Sequence, residues 1–267
     1  MRFEFGKNWQ RYLQKHYSEK RVEISKTKIL EFLEVTTLEG KTFLDLGCGS
    51  GIHSLAALRV KAKKVTSIDV DQDSIRATHW LQKKEAWNTS IWEVRQGSVL
   101  DEAFMLSLER ANLVYAWGSL HHTGDLWRAL DLTSRTVAEG GELYLAVYDE
   151  AVFQNPLPAY WIELKQRYNG AGFWKKRWME VCYIWQFDMN GKVWRLPSLF
   201  KRIWSYSKNR GMDYYTDTRD WLGGYPIEFA RREDVICFFE KRGFVLKKIA
   251  TGHANAEYLL ARISHMQ

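Results

Sequence analysis

The residues best placed to bind a ligand are two acids, each near the end of a short apolar run, and a set of alternate glycines. The first run, Thr42–Leu46, contains Asp45 and leads into Gly47, Gly49 and Gly51. Glycines allow positive φ and let a ligand approach the backbone with no Cβ in the way. The second run ends at Asp69, roughly the 20 residues further on that are typical of a carboxylate holding a ribose. This pattern predicts a nucleotide-binding crevice, and two strands of an unrelated α/β sheet are the alternative.

The glycine turn also carries a family resemblance. Leu44-Asp45-Leu46-Gly47-Cys48-Gly49-Ser50-Gly51 resembles the first motif of class I S-adenosylmethionine-dependent methyltransferases. Dinucleotide dehydrogenases carry G-x-G-x-x-G, whereas this chain has G-x-G-x-G preceded by an acid that can face an ammonium group. The resemblance covers about residues 40–150. The overall pattern of the chain, with Gly-Ser-Leu-His-His-Thr-Gly at 118–124 and Trp-Leu-Gly-Gly-Tyr-Pro at 221–226, is similar to bacterial enzymes loosely grouped with ubiquinone-pathway O-methyltransferases. The resemblance implies S-adenosylmethionine as the cofactor.

The resemblance also implies a role for each residue at the strand ends. Asp45 and the nearby glycine backbone would hold the methionine part, and Asp69 would accept from both ribose hydroxyls. Val70 and Val99 would sandwich the adenine. Ser98 stands where many relatives have an acid, so its contact with the adenine amine is expected to be weaker. The full predicted cofactor set is Trp9, Asp45, Gly47, Gly49, Gly51, Asp69, Val70, Ser98, Val99, Trp117 and Gly118.

Two adjacent histidines, His121 and His122, follow the fourth predicted strand, close to where the methyl group is expected to point. A histidine titrates near neutrality and can take a proton from a hydroxyl or ammonium group. We therefore predict a catalytic or substrate-binding role for at least one of the pair, whose side chains are expected to point apart. The alternative is a structural hydrogen bond at a helix N-terminus. His53 is predicted to be a turn residue, and His253 is a minor candidate.

Four further residues are predicted to bind the substrate. Tyr148 ends the fifth predicted strand at the same rim as the histidine pair. Tyr215, Arg219 and Tyr225 lie in a stretch of glycines, aromatics and charges, a composition typical of a pocket-shaping loop. Arg219 could pair with a carboxylate or phosphate. A surface turn with an Arg–Asp pair is the alternative.

The apolar runs and helical spacings alternate, which predicts an α/β fold: a doubly wound, mostly parallel sheet of seven strands whose last strand is antiparallel. Four segments follow from the pattern: a helical leader (1–40), a cofactor-binding core (41–150), a helical aromatic and basic cap inserted after strand five (151–225) and a return to the core (226–267). Trp9 of the leader is expected to cover the cofactor or else to anchor the leader on the core. Predicted strands are 42–46, 64–68, 91–94, 111–117, 142–148, 244–251 and 257–263.

The charge of the chain is concentrated in the predicted cap. The net charge is +7, and residues 161–210 contain eleven lysines and arginines against three acids, together with six of the 13 tryptophans. This excess predicts that the substrate, or the surface presenting it, is anionic. We expect the cap to form a mainly helical lid that selects the substrate, with many of its tryptophans packed inward or lining a pocket. A solvated helix face is the alternative explanation of the charge.

Three cysteines without metal-ligand spacing, no signal-peptide pattern and no apolar run of membrane-spanning length predict a cytoplasmic protein with no metal and no disulfide framework. The predicted function is methyl transfer to an oxygen or nitrogen of a small molecule or a natural-product or peptide intermediate. The rival functions are methylation of a peptide side chain, methylation of RNA and cofactor binding without catalysis. The oligomeric state and the acceptor atom are left open.

Overall fold

A computed structural model describes residues 6, 13, 17–210, 214–252 and 254–264, without the side chains of 207–210. Trp9 and His253 lie outside the described residues. The strands are β1 (Thr42–Leu46), β2 (Lys64–Asp69), β3 (Trp92–Gln96), β4 (Ala111–Trp117), β5 (Val137–Tyr148), β6 (Phe244–Thr251) and β7 (Asn255–Arg262). The helices are α1 (Glu19–Leu33), α2 (Ile52–Arg59), α3 (Gln72–Lys84), α4 (Glu102–Leu106), α5 (Leu126–Arg135), α6 (Pro158–Asn169), α7 (Phe173–Tyr183), α8 (Leu196–Arg210), α9 (Tyr214–Gly223) and α10 (Arg232–Glu240).

The seven strands form one sheet in the order β3-β2-β1-β4-β5-β7-β6. β1 pairs in parallel with both β2 and β4, and β7 is antiparallel to both β5 and β6. The strand order reverses between β1 and β4, and in open α/β sheets the ligand crevice lies beyond the carboxyl ends of the strands at such a point. The predicted fold class is therefore confirmed, including its antiparallel last strand.

Local sequence explains where several elements begin. Asp71 precedes α3, and its side chain caps the helix by accepting a hydrogen bond from the Asp73 N–H. Asp125 caps α5 in the same way through the Arg128 N–H. β1 is buried along four of its five residues, as expected for a central strand covered on both faces.

Four of the seven predicted strands differ in their bounds from the structure. β2 ends one residue later than predicted, at Asp69, and β7 runs from Asn255 to Arg262 instead of 257–263. β5 begins at Val137, five residues earlier than predicted, because Gly140 and Gly141 lie inside the strand at an irregularity in its pairing with β4. Gly140 has a φ of +67°, which glycine adopts without strain, so the chain bends there while the strand continues. β3 runs from Trp92 to Gln96, so it lies slightly later than predicted.

The described residues divide into two compact units. One unit is Pro156–Pro226, and the other contains the described residues before and after it. The sheet unit has its core between the sheet and the helices on its faces, with fully buried side chains on β1, β4, β5 and α10 such as Leu46, Val114, Leu145 and Phe239. The predicted division at residues 40, 150 and 225 stays a prediction.

The second unit is helical and has a small aromatic core. The ring of Trp161 on α6 lies 5.2 Å from that of Trp221 on α9 and 5.0 Å from that of Phe187, which follows α7. Lys165 is buried beside them, donates to the carbonyl of Trp221 and lies 4.1 Å above its ring. Burial lowers the pKa of Lys165 to about 7.

The prediction for the cap tryptophans is wrong for half of them. Of the six between Trp161 and Trp204, only Trp161 is buried, although Trp178 and Trp185 line an open groove. The remaining three side chains are all more than 70% exposed: Trp174, Trp194 and Trp204. The core of a unit of about 70 residues has room for few indole rings, so composition alone overestimated how many are buried.

Candidate functional site

The turn after β1 has the backbone that its glycines predict. Gly47, Gly49 and Gly51 all have positive φ, at +81°, +54° and +75°. A Cβ on Gly47 would lie 2.3 Å from the Cβ of Ser119, so even the smallest side chain is excluded there. The N–H groups of Gly47 and Cys48 donate to the carbonyl of Ile68, at 2.8 and 2.9 Å. The turn is therefore fixed against the end of β2.

Asp69 connects the two predicted ligand-binding strands. Its Oδ2 accepts the N–H of Gly49 at 3.0 Å, and its Oδ1 accepts the N–H of Asp71 at 2.9 Å. These bonds orient a half-buried carboxylate at the carboxyl end of β2. Each carboxylate oxygen can accept more than one hydrogen bond, so an oriented carboxylate of this kind can face two hydroxyl donors.

Asp45 is buried in a chain of hydrogen bonds that the sequence did not predict. Its Oδ2 accepts the hydroxyl of Ser54 at 2.5 Å, Ser54 contacts the hydroxyl of Ser67 at 2.6 Å, and the indole N–H of Trp92 donates to Ser67 at 2.8 Å. Burial raises the pKa of Asp45 to about 7, and the charge of Asp69 acts in the same direction. A cationic group placed beside Asp45 would lower that pKa.

The residues after β3 and β4 line the same edge of the sheet. The Gly97 N–H donates to the carbonyl of Asp69 at 3.0 Å, which places Ser98 directly after the β2–β3 edge. The Ser98 hydroxyl accepts the N–H of Leu100 at 3.1 Å, and Val99 packs partly against the main core. Val70, for its part, accepts the side-chain amide of Gln96 at its carbonyl.

At the end of β4, Trp117 remains 38% exposed, and Gly118 follows it with a φ of +72°. The Gly118 N–H donates to the carbonyl of Ala146 on β5 at 3.1 Å. From the leader, the N–H of Gly6 donates to the Asp71 carboxylate at 2.9 Å. The leader therefore reaches the carboxyl end of β2, next to Asp69.

The two histidines do not point apart as expected. They lie in a single 3₁₀ turn, Leu120–His122, and their ring centroids are 4.5 Å apart. Successive side chains in such a turn differ in direction by about 120° and not by the 180° of a strand. Tyr148 gives both rings a common surface, at 3.9 Å from His121 and 5.6 Å from His122.

An aromatic wall surrounds this pair. Phe229 lies 5.8 Å from Tyr148 and 4.8 Å from Phe153. His121 is fully buried, whereas His122 and Tyr148 are half-buried. The arrangement gives His122 the more accessible ring and gives His121 the role of a packed neighbour.

Glu228 is a structural residue of the site that the sequence analysis missed. Its two carboxylate oxygens accept the N–H groups of Gly124 and Leu126 at 3.1 and 3.0 Å, and its own N–H donates to the carbonyl of His121 at 2.9 Å. Burial raises the pKa of Glu228. This residue holds the loop that carries both histidines, and its only sequence signal was a single acid in an apolar return segment.

The ion pair between the buried Asp149 and the partly exposed Arg232 was also missed. Asp149 is fully buried directly after Tyr148, and the guanidinium of Arg232 lies 2.5 Å from its carboxylate. The pair joins the end of β5 to the start of α10. It therefore fixes the backbone that carries Tyr148.

The prediction that His53 is a turn residue is wrong. His53 lies in the first turn of α2, where its Nδ1 is 2.6 Å from the hydroxyl of Ser25 on α1. Its ring is 5.1 Å from that of Tyr115 on β4. Burial lowers the pKa of His53 to about 4, so this histidine is neutral at physiological pH.

The prediction of a pocket-shaping loop around Tyr215 and Arg219 is wrong, because both residues lie on the helix α9. The guanidinium of Arg219 is 3.5 Å from the carboxylate of Glu180, so an intramolecular acid contacts it. Tyr225 follows α9, and its hydroxyl accepts the side-chain amide of Gln166 at 3.0 Å. All three belong to the second unit, whereas Tyr148 belongs to the sheet unit.

The part of the chain that the structure describes contains neither a metal-binding cluster nor a membrane-spanning helix. No group of three or more histidines, cysteines or acids there has the geometry to hold a metal ion. No described helix is long and apolar enough to cross a membrane. The three cysteines are all free thiols.

Comparison with known proteins identifies the family. A family model described as a methyltransferase domain matches residues 9–219, which is most of the chain. The chain belongs to the methyltransferase domain family. The predicted class I S-adenosylmethionine-dependent methyltransferase is thereby confirmed in family, enzyme class and cofactor, and the sheet order agrees with it.

Individual relatives of this methyltransferase are short matches or distant folds. The ribosomal protein L11 methyltransferase of Aliivibrio fischeri (strain MJ11) is 53% identical over 49 residues, which is 18% of this chain and only 17% of that protein. Magnesium protoporphyrin IX methyltransferase from Synechocystis PCC 6803, solved with bound SAH, is 11% identical, with a TM-score of 0.56 over 95% of this chain and 92% of that one. An O-methyltransferase family protein from Burkholderia thailandensis is 12% identical, with a TM-score of 0.55 over 92% of this chain and 58% of that one.

Proposed function

We propose that this methyltransferase transfers a methyl group to an oxygen or nitrogen atom of a small molecule, or of a natural-product or peptide intermediate. The observation that carries the proposal is the histidine pair and its aromatic wall, at the end of the strand next to the glycine turn. β1 and β4 are neighbours in the sheet, so a ligand on the turn after β1 lies beside the 3₁₀ turn after β4.

Residues at the carboxyl ends of four strands fit S-adenosylmethionine. The glycines at alternate positions of the turn Gly47–Gly51 leave room for the methionine part, and the oriented Asp69 carboxylate suits the ribose. Asp45 supplies a carboxyl group whose raised pKa an ammonium group would lower again. Val70, Ser98 and Val99 are the proposed adenine contacts, and Trp117 with Gly118 the proposed contacts near the reacting methyl.

When bound, S-adenosylmethionine supplies an electrophilic methyl group on a sulfonium. The protein's own contribution is to align the acceptor and to remove its proton. We assign the removal of the acceptor's proton to His122, whose ring is the more accessible of the pair. His121 and Tyr148 are the residues that position that ring. Glu228 supports this geometry through the loop backbone. Tyr148 is the proposed substrate contact of the sheet unit.

The second unit is proposed to select the acceptor, as the predicted cap would. Tyr215, Arg219 and Tyr225 remain proposed substrate residues. An anionic substrate would compete with the carboxylate of Glu180 for the guanidinium of Arg219. The basic excess of residues 161–210 supports an anionic acceptor or an anionic surface that presents it. A cytoplasmic location remains part of this proposal.

Methylation of a peptide side chain is the nearest alternative. The short match to ribosomal protein L11 methyltransferases bears on it, but the alignment covers less than a fifth of either chain. RNA methylation is a further alternative, supported by exposed tryptophans among lysines.

A labelled-methyl experiment tests the proposed function. Purified enzyme is incubated with trideuteromethyl S-adenosylmethionine and with separate extracts of small molecules, peptides and RNA, and each extract is analysed by mass spectrometry. The proposal predicts label on an oxygen or nitrogen in the small-molecule or peptide extract, and loss of that label with the His121→Ala, His122→Ala double variant. Label confined to RNA would contradict the proposed acceptor class.

A further inference from the structure

One helix of the second unit exposes an apolar stripe to solvent. Trp174, Trp178, Val181 and Trp185 follow the spacing i, i+4, i+7 and i+11, which places them on one side of α7 and of the π-helical turn that continues it. Their exposed fractions are 82%, 68%, 57% and 43%. Burying such side chains would be favourable by the hydrophobic effect, so a stripe this long indicates a surface that another molecule covers.

The stripe continues into the segment after α7. The Gly191 N–H donates to the carbonyl of Trp185 at 2.8 Å, which holds this segment against the end of the stripe. Val193 and Trp194 follow, 58% and 75% exposed. We call the six residues Trp174, Trp178, Val181, Trp185, Val193 and Trp194 the tryptophan face.

Cations accompany the tryptophan face. Lys175, Lys192 and Arg195 are exposed, and none of them forms an ion pair with an acid that the structure describes. Lys192 lies 5.6 Å above the ring of Trp194. By contrast, Arg177 is neutralised by Glu180 at 2.5 Å. Three positive charges are therefore available to a ligand beside the tryptophan face.

We propose that the tryptophan face docks on a membrane surface that carries anionic phospholipids. Tryptophan has an apolar ring and a polar N–H, and it is enriched at the boundary between headgroups and acyl chains. A helix with tryptophans on one face and lysines nearby is typical of proteins that lie in this interface. Binding of this kind requires no helix that crosses the bilayer.

The composition of the face favours a bilayer over RNA. Bases stack on aromatic rings, but Val181 and Val193 offer no stacking surface, whereas a bilayer buries aliphatic and aromatic side chains alike. A second copy of the chain is disfavoured as well. A two-fold contact brings the same patch of both copies together, so it would crowd the cations Lys175, Lys192 and Arg195 of each copy into one interface.

This inference extends the proposed function, because it names a phospholipid bilayer as the anionic surface that the basic second unit would contact. It does not depend on which molecule accepts the methyl group. Its test uses the full chain without cofactor, so a failed test leaves methyl transfer untouched. Sucrose-loaded vesicles of phosphatidylcholine, with and without phosphatidylglycerol, are sedimented with the protein at one fixed salt concentration. Vesicles with brominated acyl chains then report contact by quenching tryptophan fluorescence.

Two variants separate the two contributions. Lys175→Gln, Lys192→Gln, Arg195→Gln removes the cations and is expected to weaken binding about a hundred-fold, since each charge near an anionic surface contributes about five-fold. Trp174→Gln, Trp178→Gln removes the exposed end of the stripe and is expected to lower binding at least about ten-fold and to reduce the quenching. All five side chains are exposed, so both variants are expected to fold. An unchanged melting temperature checks this.

Matched controls change the same kinds of residue in the sheet unit. Lys20→Gln, Lys83→Gln, Lys241→Gln removes three exposed cations, and Leu106→Gln, Ile263→Gln removes two apolar side chains that are more than half exposed. Both controls are expected to bind vesicles within about two-fold of wild type, allowing for long-range charge effects that salt screens.

The inference is supported if wild type sediments with vesicles that contain phosphatidylglycerol and if both test variants lose more binding than their controls. It is overturned if wild type stays in the supernatant, or if the test variants bind as the controls do. Tight binding to a single-stranded RNA, or a dimer that the tryptophan variant dissociates, would overturn it equally when no vesicle binding accompanies it.

Discussion

The carboxylate of Asp69 accepts the backbone N–H of Gly49 at 3.0 Å. This bond joins the end of β2 to the glycine turn after β1, so the two parts of the predicted cofactor motif form one hydrogen-bonded unit. Asp69 therefore has two functions in this account: it shapes the turn, and it presents a carboxylate to the ribose.

Replacing Asp69 with alanine should weaken S-adenosylmethionine binding. Loss of a hydrogen bond to a charged group costs about 1.5–3 kcal/mol, which corresponds to roughly ten- to 150-fold in Kd. Isothermal titration calorimetry measures the change. Asp73→Ala is the matched control, because that carboxylate pairs with Arg76 on the surface of α3. Equal affinity in wild type and Asp69→Ala would contradict the assignment.

The glycine turn gives a stability prediction. Gly47→Ala and Gly118→Ala both place a Cβ on a residue with positive φ, which costs about 1–2 kcal/mol. Only Gly47→Ala also forces a Cβ against Ser119, at 2.3 Å, and overpacking adds about 1–3 kcal/mol. Urea denaturation should therefore show Gly47→Ala as the less stable variant. Equal free energies of unfolding would show that the turn relaxes without cost.

Local sequence patterns were sufficient to predict the sheet and the cofactor end of the site. β1 and β4 have the predicted bounds, and Asp69 ends β2 next to the glycine turn. These features depend on short apolar runs, on glycines that alone tolerate the required φ, and on spacing along the chain. Each is a property of neighbouring residues in the sequence, so it can be predicted without knowing which distant residues pack against it.

The errors concern residues whose environment distant contacts decide. His53 is held by Ser25 and Tyr115, and the rings of His121 and His122 meet on Tyr148. None of these partners is close in sequence. The amphipathic charge pattern around Arg219 fits a helix as well as a loop, and only the packing of α9 on α6 and α7 decides between them.

The pKa of Asp45 predicts a pH-dependent stability. The pKa is raised to about 7 in the folded chain, above its value of about 3.9 when unfolded, so folding favours the protonated acid. Its contribution is fully present below pH 4 and is lost as the pH rises to 7. Asp45→Asn removes this titration, and its free energy of unfolding relative to wild type should rise by a few kcal/mol between pH 4 and 7 and then level off.

Urea denaturation of both proteins across that range measures the difference. Comparing the variant with wild type cancels the opposite contribution of His53, whose lowered pKa stabilises the fold as the pH rises through the same range. A difference between Asp45→Asn and wild type that stays constant from pH 4 to 8 would show that Asp45 is charged throughout.

The histidine pair should serve catalysis and not cofactor binding. The double variant His121→Ala, His122→Ala is expected to lower kcat by roughly 10²–10⁴, the usual range for acid–base catalysis, with the Kd for S-adenosylmethionine unchanged. His122→Ala alone should account for most of the loss, since His122 is the more accessible ring. His121→Phe keeps an aromatic ring on Tyr148 and should retain more activity than His121→Ala.

Steady-state kinetics with the acceptor found in the labelling experiment checks this assignment. His79→Ala is the control, because His79 is an exposed histidine on α3 that contacts Gln82 at 3.2 Å. A double variant that turns over at the wild-type rate would remove both histidines from the chemistry.

The most direct test of the central claim is calorimetry of the purified wild-type chain with S-adenosylmethionine and, separately, with NAD. We predict one S-adenosylmethionine bound per chain, no binding of NAD, and a Kd for S-adenosylmethionine that rises roughly ten- to 150-fold when Asp69 is replaced by alanine. Binding of NAD without binding of S-adenosylmethionine would contradict it.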